Sequence, residues 1–165
     1  MKLHKLQAGE KAGSYVIDSP VTEADILRMA QQLANRRMAK GKHLGNPQQA
    51  AEHLQTLLQD LEHEVFALLM LDSKNRIIGF REVFRGTIDT TRVYPREVAK
   101  TVLKHNAASV VLVHNHPSGD PEPSQADYLL TKKLKTALEL VGTRTLDHIV
   151  VGREGFVSLA QLGYL

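Results

Sequence analysis

Ser109-Val-Val-Leu-Val-His114-Asn-His116-Pro-Ser-Gly-Asp-Pro-Glu-Pro-Ser124-Gln-Ala-Asp127 carries more information than any other stretch of this chain. Its first part is a continuous apolar run, short enough for a buried strand. Its middle, Asn115 to Pro123, holds Gly119 and three of the six prolines, which stiffen a loop. From Ser124 the pattern predicts a helix to Val141, with Leu130, Leu134, Ala137, Leu138 and Val141 on its apolar face and Gly142 as its stop. Two histidines at i and i+2 on a strand end project to one face, so both rings can reach one ion. Asp127 lies one turn into the helix, and the stiff loop folds that helix start back over the strand end. Two imidazoles and one carboxylate form a three-ligand zinc set with a fourth position open to water, the arrangement of a catalytic site. Ser124 and Asp127 also have the spacing of a helix capping box, a structural role that is compatible with ligation.

The flanking sequence supplies a mixed scaffold. Upstream, Val65–Leu71 reads as a second buried strand, Asp72 to Asn75 as a turn, and Arg76 to Gly86 as the returning strand of a hairpin. On that returning strand the alternation puts Ile78, Phe80, Glu82 and Phe84 on one face. Pro95 opens a helix to about Asn106, with Val98, Val102 and Leu103 inward. Further upstream, Thr22 caps a helix that should fade near Lys40-Gly41, and Asn46-Pro47 opens another that should end near His63. Residues 1–20 read as a loose arm with a short strand at Tyr15–Ile17. Downstream, Leu146 to Val151 and Phe156 to Leu159 form a hairpin around Arg153-Glu-Gly155. Strands interleaved with helices predict an α/β (α+β) fold with a mixed central sheet flanked by helices.

Composition narrows the chemistry. The 165 residues suit about one domain of ~100–200 residues. Lysine and arginine exceed aspartate and glutamate by 21 to 18, a mild excess of mixed signs that is weak support for nucleic acid. Aromatic residues are 5% and are not interleaved with the basic clusters at Arg36-Arg37 and Lys132-Lys133, which disfavours a base-stacking platform. The absence of cysteine excludes disulfides, thiolate zinc sites and a cysteine nucleophile, and leaves only nitrogen and oxygen ligands. No apolar run approaches the ~20 residues of a membrane span and no signal-peptide core is present, so a cytoplasmic location is expected.

The central stretch matches the JAMM signature: His-x-His, seven residues, then Ser-x-x-Asp. It resembles the MPN/JAB fold of zinc metallohydrolases, a cytidine-deaminase-like architecture. The wording around it, Tyr94-Pro-Arg-Glu97, Val113-His-Asn-His-Pro-Ser-Gly119 and Leu146-Asp-His-Ile-Val-Val-Gly152, is similar to the RadC family specifically. The resemblance runs from about Glu62 to Leu165. Family members often carry a helix-hairpin-helix module, whereas the first sixty or so residues here resemble the short RadC-like proteins of mobile elements. We expect an N-terminal arm and helix over residues 1–45 and the RadC-like domain over 46–165.

The resemblance implies that His114, His116 and Asp127 hold one Zn2+ per chain and that Ser124 donates a hydrogen bond to the oxyanion of a tetrahedral intermediate. It also implies an upstream glutamate that takes a proton from the activated water and passes it to the leaving nitrogen. Glu82 is the first choice for that base, because an acid facing a core beside Phe80 and Phe84 needs a reason. Glu97 competes, but its place in the first turn of a helix is explained by the helix dipole. His148, beside Asp147 on a strand, reads as a supporting residue or a satisfied buried histidine. The expected activity is zinc-dependent hydrolysis of a peptide or isopeptide amide in an unidentified peptide or protein substrate. The competing expectations are a non-enzymatic RadC-like module that binds protein or DNA, in keeping with the family's DNA-repair label, and a purely structural metal.

Overall fold

The computed structural model describes residues 5–86 and 93–165. His4, expected on the surface, lies outside them. The elements run β1 (Leu6–Ala8), β2 (Tyr15–Ile17), α1 (Glu23–Arg37), α2 (Pro47–Leu58), β3 (Val65–Leu71), β4 (Ile77–Arg85), α3 (Pro95–Lys104), β5 (Ser109–Asn115), α4 (Gln125–Glu139), β6 (Arg144–Gly152) and β7 (Gly155–Ser158). β1 and β2 form a small hairpin, and the main sheet has the order β4-β3-β5-β6-β7. β5 and β6 are parallel, and the other neighbours in this sheet are antiparallel. The mixed α/β architecture expected from the sequence is therefore present.

Alternation along the buried strands sorts the core into two layers. Val65, Ala67, Leu69 and Leu71 of β3 join Val111, Val113, Ile149 and Val151 under Ala51, Leu54 and Leu58 of α2. Phe66, Leu68 and Met70 join Val110 and Leu112 on the opposite face, under Val98 and Val102 of α3 and Leu134 and Leu138 of α4. Each fully buried Val, Leu, Ile, Phe or Met among them contributes about 1.5–3 kcal/mol relative to exposure. α1 packs chiefly along α2, and it reaches the first layer through the buried Met38 that follows it. It was expected against the sheet itself.

Local chemistry accounts for the helix starts. Thr22 and Ser124 each close a full capping box, and Asn46 Oδ1 accepts from Gln48 and Gln49 ahead of Pro47. The helix ends fall earlier than expected for tertiary reasons. After α1, Gly41 and Leu44 donate to the Ile77 and Asn75 carbonyls, and Ile77 donates to Lys42, so the chain is captured by the start of β4. After α2, the Asn115 side chain accepts from the Val65 amide at 2.8 Å and donates to the His63 carbonyl at 3.1 Å. That clamp holds His63 and Val65 at the entry to β3, and α2 ends ahead of it at Leu58.

β4 departs from the expected alternation. Leu71 pairs with Ile77 and Met70 with Gly79, then Ala67 pairs with Glu82 and Phe66 with Phe84, so Ile78 and Val83 are extra residues in the ladder. Each bulge resets the parity of the strand. Ile78 and Phe84 consequently pack in the α3/α4 layer and Phe80 in the α2 layer.

Candidate metal centre

Phe66 of β3 pairs with His114 of β5 on the sheet face covered by α3 and α4. The His114 ring is 1% exposed and stacks on Phe66 at 6.2 Å between centroids. His116, two residues on, presents Nε2 to the same point, 3.0 Å from His114 Nε2. The loop that follows is pinned from outside: His116 Nδ1 donates to the Asp120 carbonyl at 2.9 Å, and Glu154 N donates to the Gly119 carbonyl at 3.1 Å. Gly119 adopts φ +98°, a conformation that favours glycine. The loop also lies flat on Gly152, where an added Cβ would stand 2.0 Å from the Gly119 carbonyl oxygen.

The loop delivers the start of α4. Asp127 Oδ2 accepts from Ser124 N at 2.7 Å and from Ser124 Oγ at 2.6 Å, which is the capping interaction. Asp127 Oδ1 lies 3.2 Å from His114 Nε2, and Oδ2 lies 3.6 Å from His116 Nε2. Capping and ligation thus divide the same carboxylate. Burial pushes the Asp127 carboxyl up, but the His114 and His116 rings beside it and the Ser124 hydroxyl outweigh that and hold the group well below the usual carboxylate range. Hydrogen bonding to Asp127 likewise holds His116 above the ordinary imidazole value against the pull of burial, helped by the Asp120 carbonyl and by the charges of Asp127 and Glu64.

The donor set fits a metal ion. Among the described residues, His114, His116 and Asp127 are the one group of three such side chains whose ligand atoms all lie within 4.8 Å of one another. A carbonyl can only accept, so His116 carries a hydrogen on Nδ1, and whenever its ring is neutral its Nε2 is a bare lone pair turned toward a carboxylate. A lone pair facing a carboxylate requires a cation or a proton between them. Two nitrogens, one oxygen and no sulfur suit zinc.

The acids expected nearby are placed differently. Glu82 pairs with Ala67, whose side chain is in the α2 layer, so it points to the face opposite His114. Its carboxylate is 42% exposed and bonds Arg85 at 2.7 Å. The expected burial between Phe80 and Phe84 fails because the Val83 bulge separates Glu82 from Phe84 in parity. Glu97 is 45% exposed and bonds Lys100 at 3.0 Å, as a first-turn acid of α3. The acid that the fold brings to the cluster is Glu64. It stands one residue ahead of β3, two before the Phe66 that pairs with His114, and its charge reaches His116. It is half-buried, and its backbone is held by the Asn115 clamp on one side and by Gly86 N, which donates to its carbonyl at 2.8 Å, on the other. The parity of Glu64 with Phe66 was visible in the sequence, but only for a reader who knew that β3 lies against β5.

Comparison with known proteins agrees with this architecture. The family model for the RadC-like JAB domain matches residues 44–164. A UPF0758 protein of Vibrio cholerae is 47% identical over 151 residues, which cover 92% of this chain and 95% of the relative. A UPF0758 protein of Pseudomonas fluorescens is 44% identical over 164 residues, 97% of this chain and 73% of the relative. Another, from Leptothrix cholodnii, is 49% identical over 140 residues but spans 63% of a longer relative. None of these names states an activity. Among the described residues no helix is long and apolar enough to cross a membrane. The matched segment contains every residue of the metal cluster as well as Glu64 and Ser124, and the chain belongs to the RadC-like JAB domain family.

Proposed function

We propose that the chain is a zinc-dependent hydrolase of the JAMM type that cleaves a peptide or isopeptide amide. The observation that carries this reading is the convergence of His114, His116 and Asp127 on one point, with the charge of a half-buried glutamate, Glu64, reaching His116. Those three side chains would hold the ion. When bound, zinc supplies a Lewis acid and brings the pKa of water toward ~7. Glu64 then takes the base role first given to Glu82: its carboxylate accepts a proton from the attacking water and returns it to the leaving nitrogen. The Asn115 clamp holds the backbone on either side of that residue, at His63 and Val65. Ser124 Oγ, which accepts from Asp127 N at 3.3 Å, turns its hydrogen from Asp127 Oδ2 to the oxyanion that develops on the substrate carbonyl.

The test is amide release from peptide and isopeptide substrates by zinc-loaded protein. Glu64→Gln should lower turnover by about 10²–10⁴-fold with zinc content still one per chain. Glu82→Gln should leave turnover unchanged. Full activity of Glu64→Gln removes Glu64 from the base role, and a zinc-loaded wild type that releases no new amine from any such substrate ends the hydrolase reading.

A further inference from the structure

His148 of β6 is fully buried and has no part in the chemistry just described. Its Nε2 lies 2.8 Å from His114 Nδ1, and its Nδ1 lies 2.5 Å from Thr131 Oγ1. Thr131 Oγ1 in turn lies 2.6 Å from the backbone carbonyl oxygen of Asp127. The direction of every proton in this series follows from its far end. A carbonyl has no hydrogen, so the Thr131 hydroxyl must give its one hydrogen to Asp127. Toward His148 that hydroxyl can then only accept, and His148 Nδ1 is the N–H donor. The His148 ring is sealed from water with Phe66, His114 and Thr131 against it, and this burial outweighs the pull of the Asp127 charge, so the neutral ring is favoured and its Nε2 is a bare acceptor. His114 Nδ1 must therefore donate to it. The hydrogen of His114 is committed on the outer side, and its Nε2 faces His116 and Asp127 with an open lone pair.

We infer that His148 and Thr131 are positioning residues that lock His114 in the Nδ1–H tautomer and so keep its Nε2 ready as a metal ligand. The inference rests on the metal-site reading above, but not on the reaction assigned to it. The opposing force is local. In the absence of an ion, the Nε2–H tautomer of His114 would donate to Asp127 Oδ1, only 3.2 Å away, and would block the ligand atom. The series through β6 and α4 outweighs that alternative by offering a buried acceptor to Nδ1. It also ends on the carbonyl of Asp127, so one line of hydrogen bonds ties two ligands on different elements. A histidine that only filled space would need neither the acceptor nor the threonine.

The experiment reads the tautomer directly, by nitrogen-15 NMR of the metal-free full chain at a pH above the ordinary imidazole pKa of ~6.5, and zinc affinity by competition with a chromophoric chelator. In the wild type, His114 should be the Nδ1–H tautomer. His148→Phe, which keeps a planar ring and removes the acceptor, should move the hydrogen to Nε2 and weaken zinc binding about 10–100-fold. Thr131→Val, which removes one hydroxyl at nearly constant volume, should do the same and serves if His148→Phe fails to fold. His148→Gln, whose amide oxygen reaches the place of Nε2, and Thr131→Ser should restore both readouts. An Nε2–H tautomer in the wild type, or wild-type zinc affinity in folded Thr131→Val, overturns the inference. A protein with the Nδ1–H tautomer and the expected variant effects that cleaves no amide supports it and ends only the hydrolase reading.

Discussion

The helices α1 and α4 begin in the same way and end up with different duties. Thr22 and Ser124 are their caps, with φ/ψ of −89°/165° and −77°/164°, and each is followed at the third helical position by an aspartate that completes the box. Asp25 Oδ2 accepts from Thr22 N at 3.1 Å and binds Lys5 Nζ at 2.8 Å near the surface. Asp127 makes the same capping bonds but faces His114 and His116, which sit at the end of a buried strand. The local signature is thus a helix start in both places, worth about 1 kcal/mol. What makes one of them a site is the surroundings: a paired-histidine strand end, a loop held down on Gly152, and a buried hydrogen-bond line behind the first histidine.

That comparison can be broken at three levels. The largest effect belongs to the ligand itself. Asp127→Asn should abolish tight zinc binding, with a loss of at least ~100-fold, since it exceeds the cost of disturbing an outer partner. Asp25→Asn should leave binding intact. Zinc at about a hundred times Kd should stabilise the wild type and Asp25→Asn by ~2.7 kcal/mol in thermal melts and Asp127→Asn not at all. An equal response from all three would mean that the two boxes do not differ in duty. The next effect tests the loop. Gly152→Ala puts a Cβ 2.0 Å from the Gly119 oxygen and 2.9 Å from Pro121 N, so the loop has to move. Stability should fall by about 1–3 kcal/mol, and zinc affinity should fall with it because Asp120 orients His116. Wild-type affinity would show that the loop can shift without turning the ring. The smallest effect is the cap alone. Ser124→Ala and Thr22→Ala should each lower stability by about 1 kcal/mol in denaturant titrations, while only Ser124→Ala slows amide cleavage. Equal turnover in the two variants would reduce Ser124 to a cap.

What could be read from the sequence follows a physical division. Caps at Thr22, Asn46 and Ser124, the turn at Asp72–Asn75 and the His-x-His strand end all depend on residues within a turn of one another, and they appear where expected. The stops of α1 and α2 do not, because the β4 start and the Asn115 side chain set them from far along the chain. Choosing between Glu82 and Glu64 is the same problem in sharper form. The parity of β4 is reset by bulges at Ile78 and Val83, which strict alternation hides. Glu64 gains meaning only once β3 is laid antiparallel to β5. The role of His148 needs one more pairing still, between β5 and β6.

That last dependence has a consequence in time. His148 is made 148 − 127 = 21 residues after Asp127, and Gly152 four residues later still. At about 5–20 residues per second of synthesis, a nascent chain displays every proposed ligand for roughly a second or more before the strand that orients them has emerged. During that interval the two histidines and the aspartate are a loose chelate with neither tautomer nor loop defined. The mature site should therefore load its ion only once β6 has emerged and paired with β5. Stalled nascent chains that stop short of β6 but expose Asp127 should hold zinc no better than an unstructured peptide of the same composition.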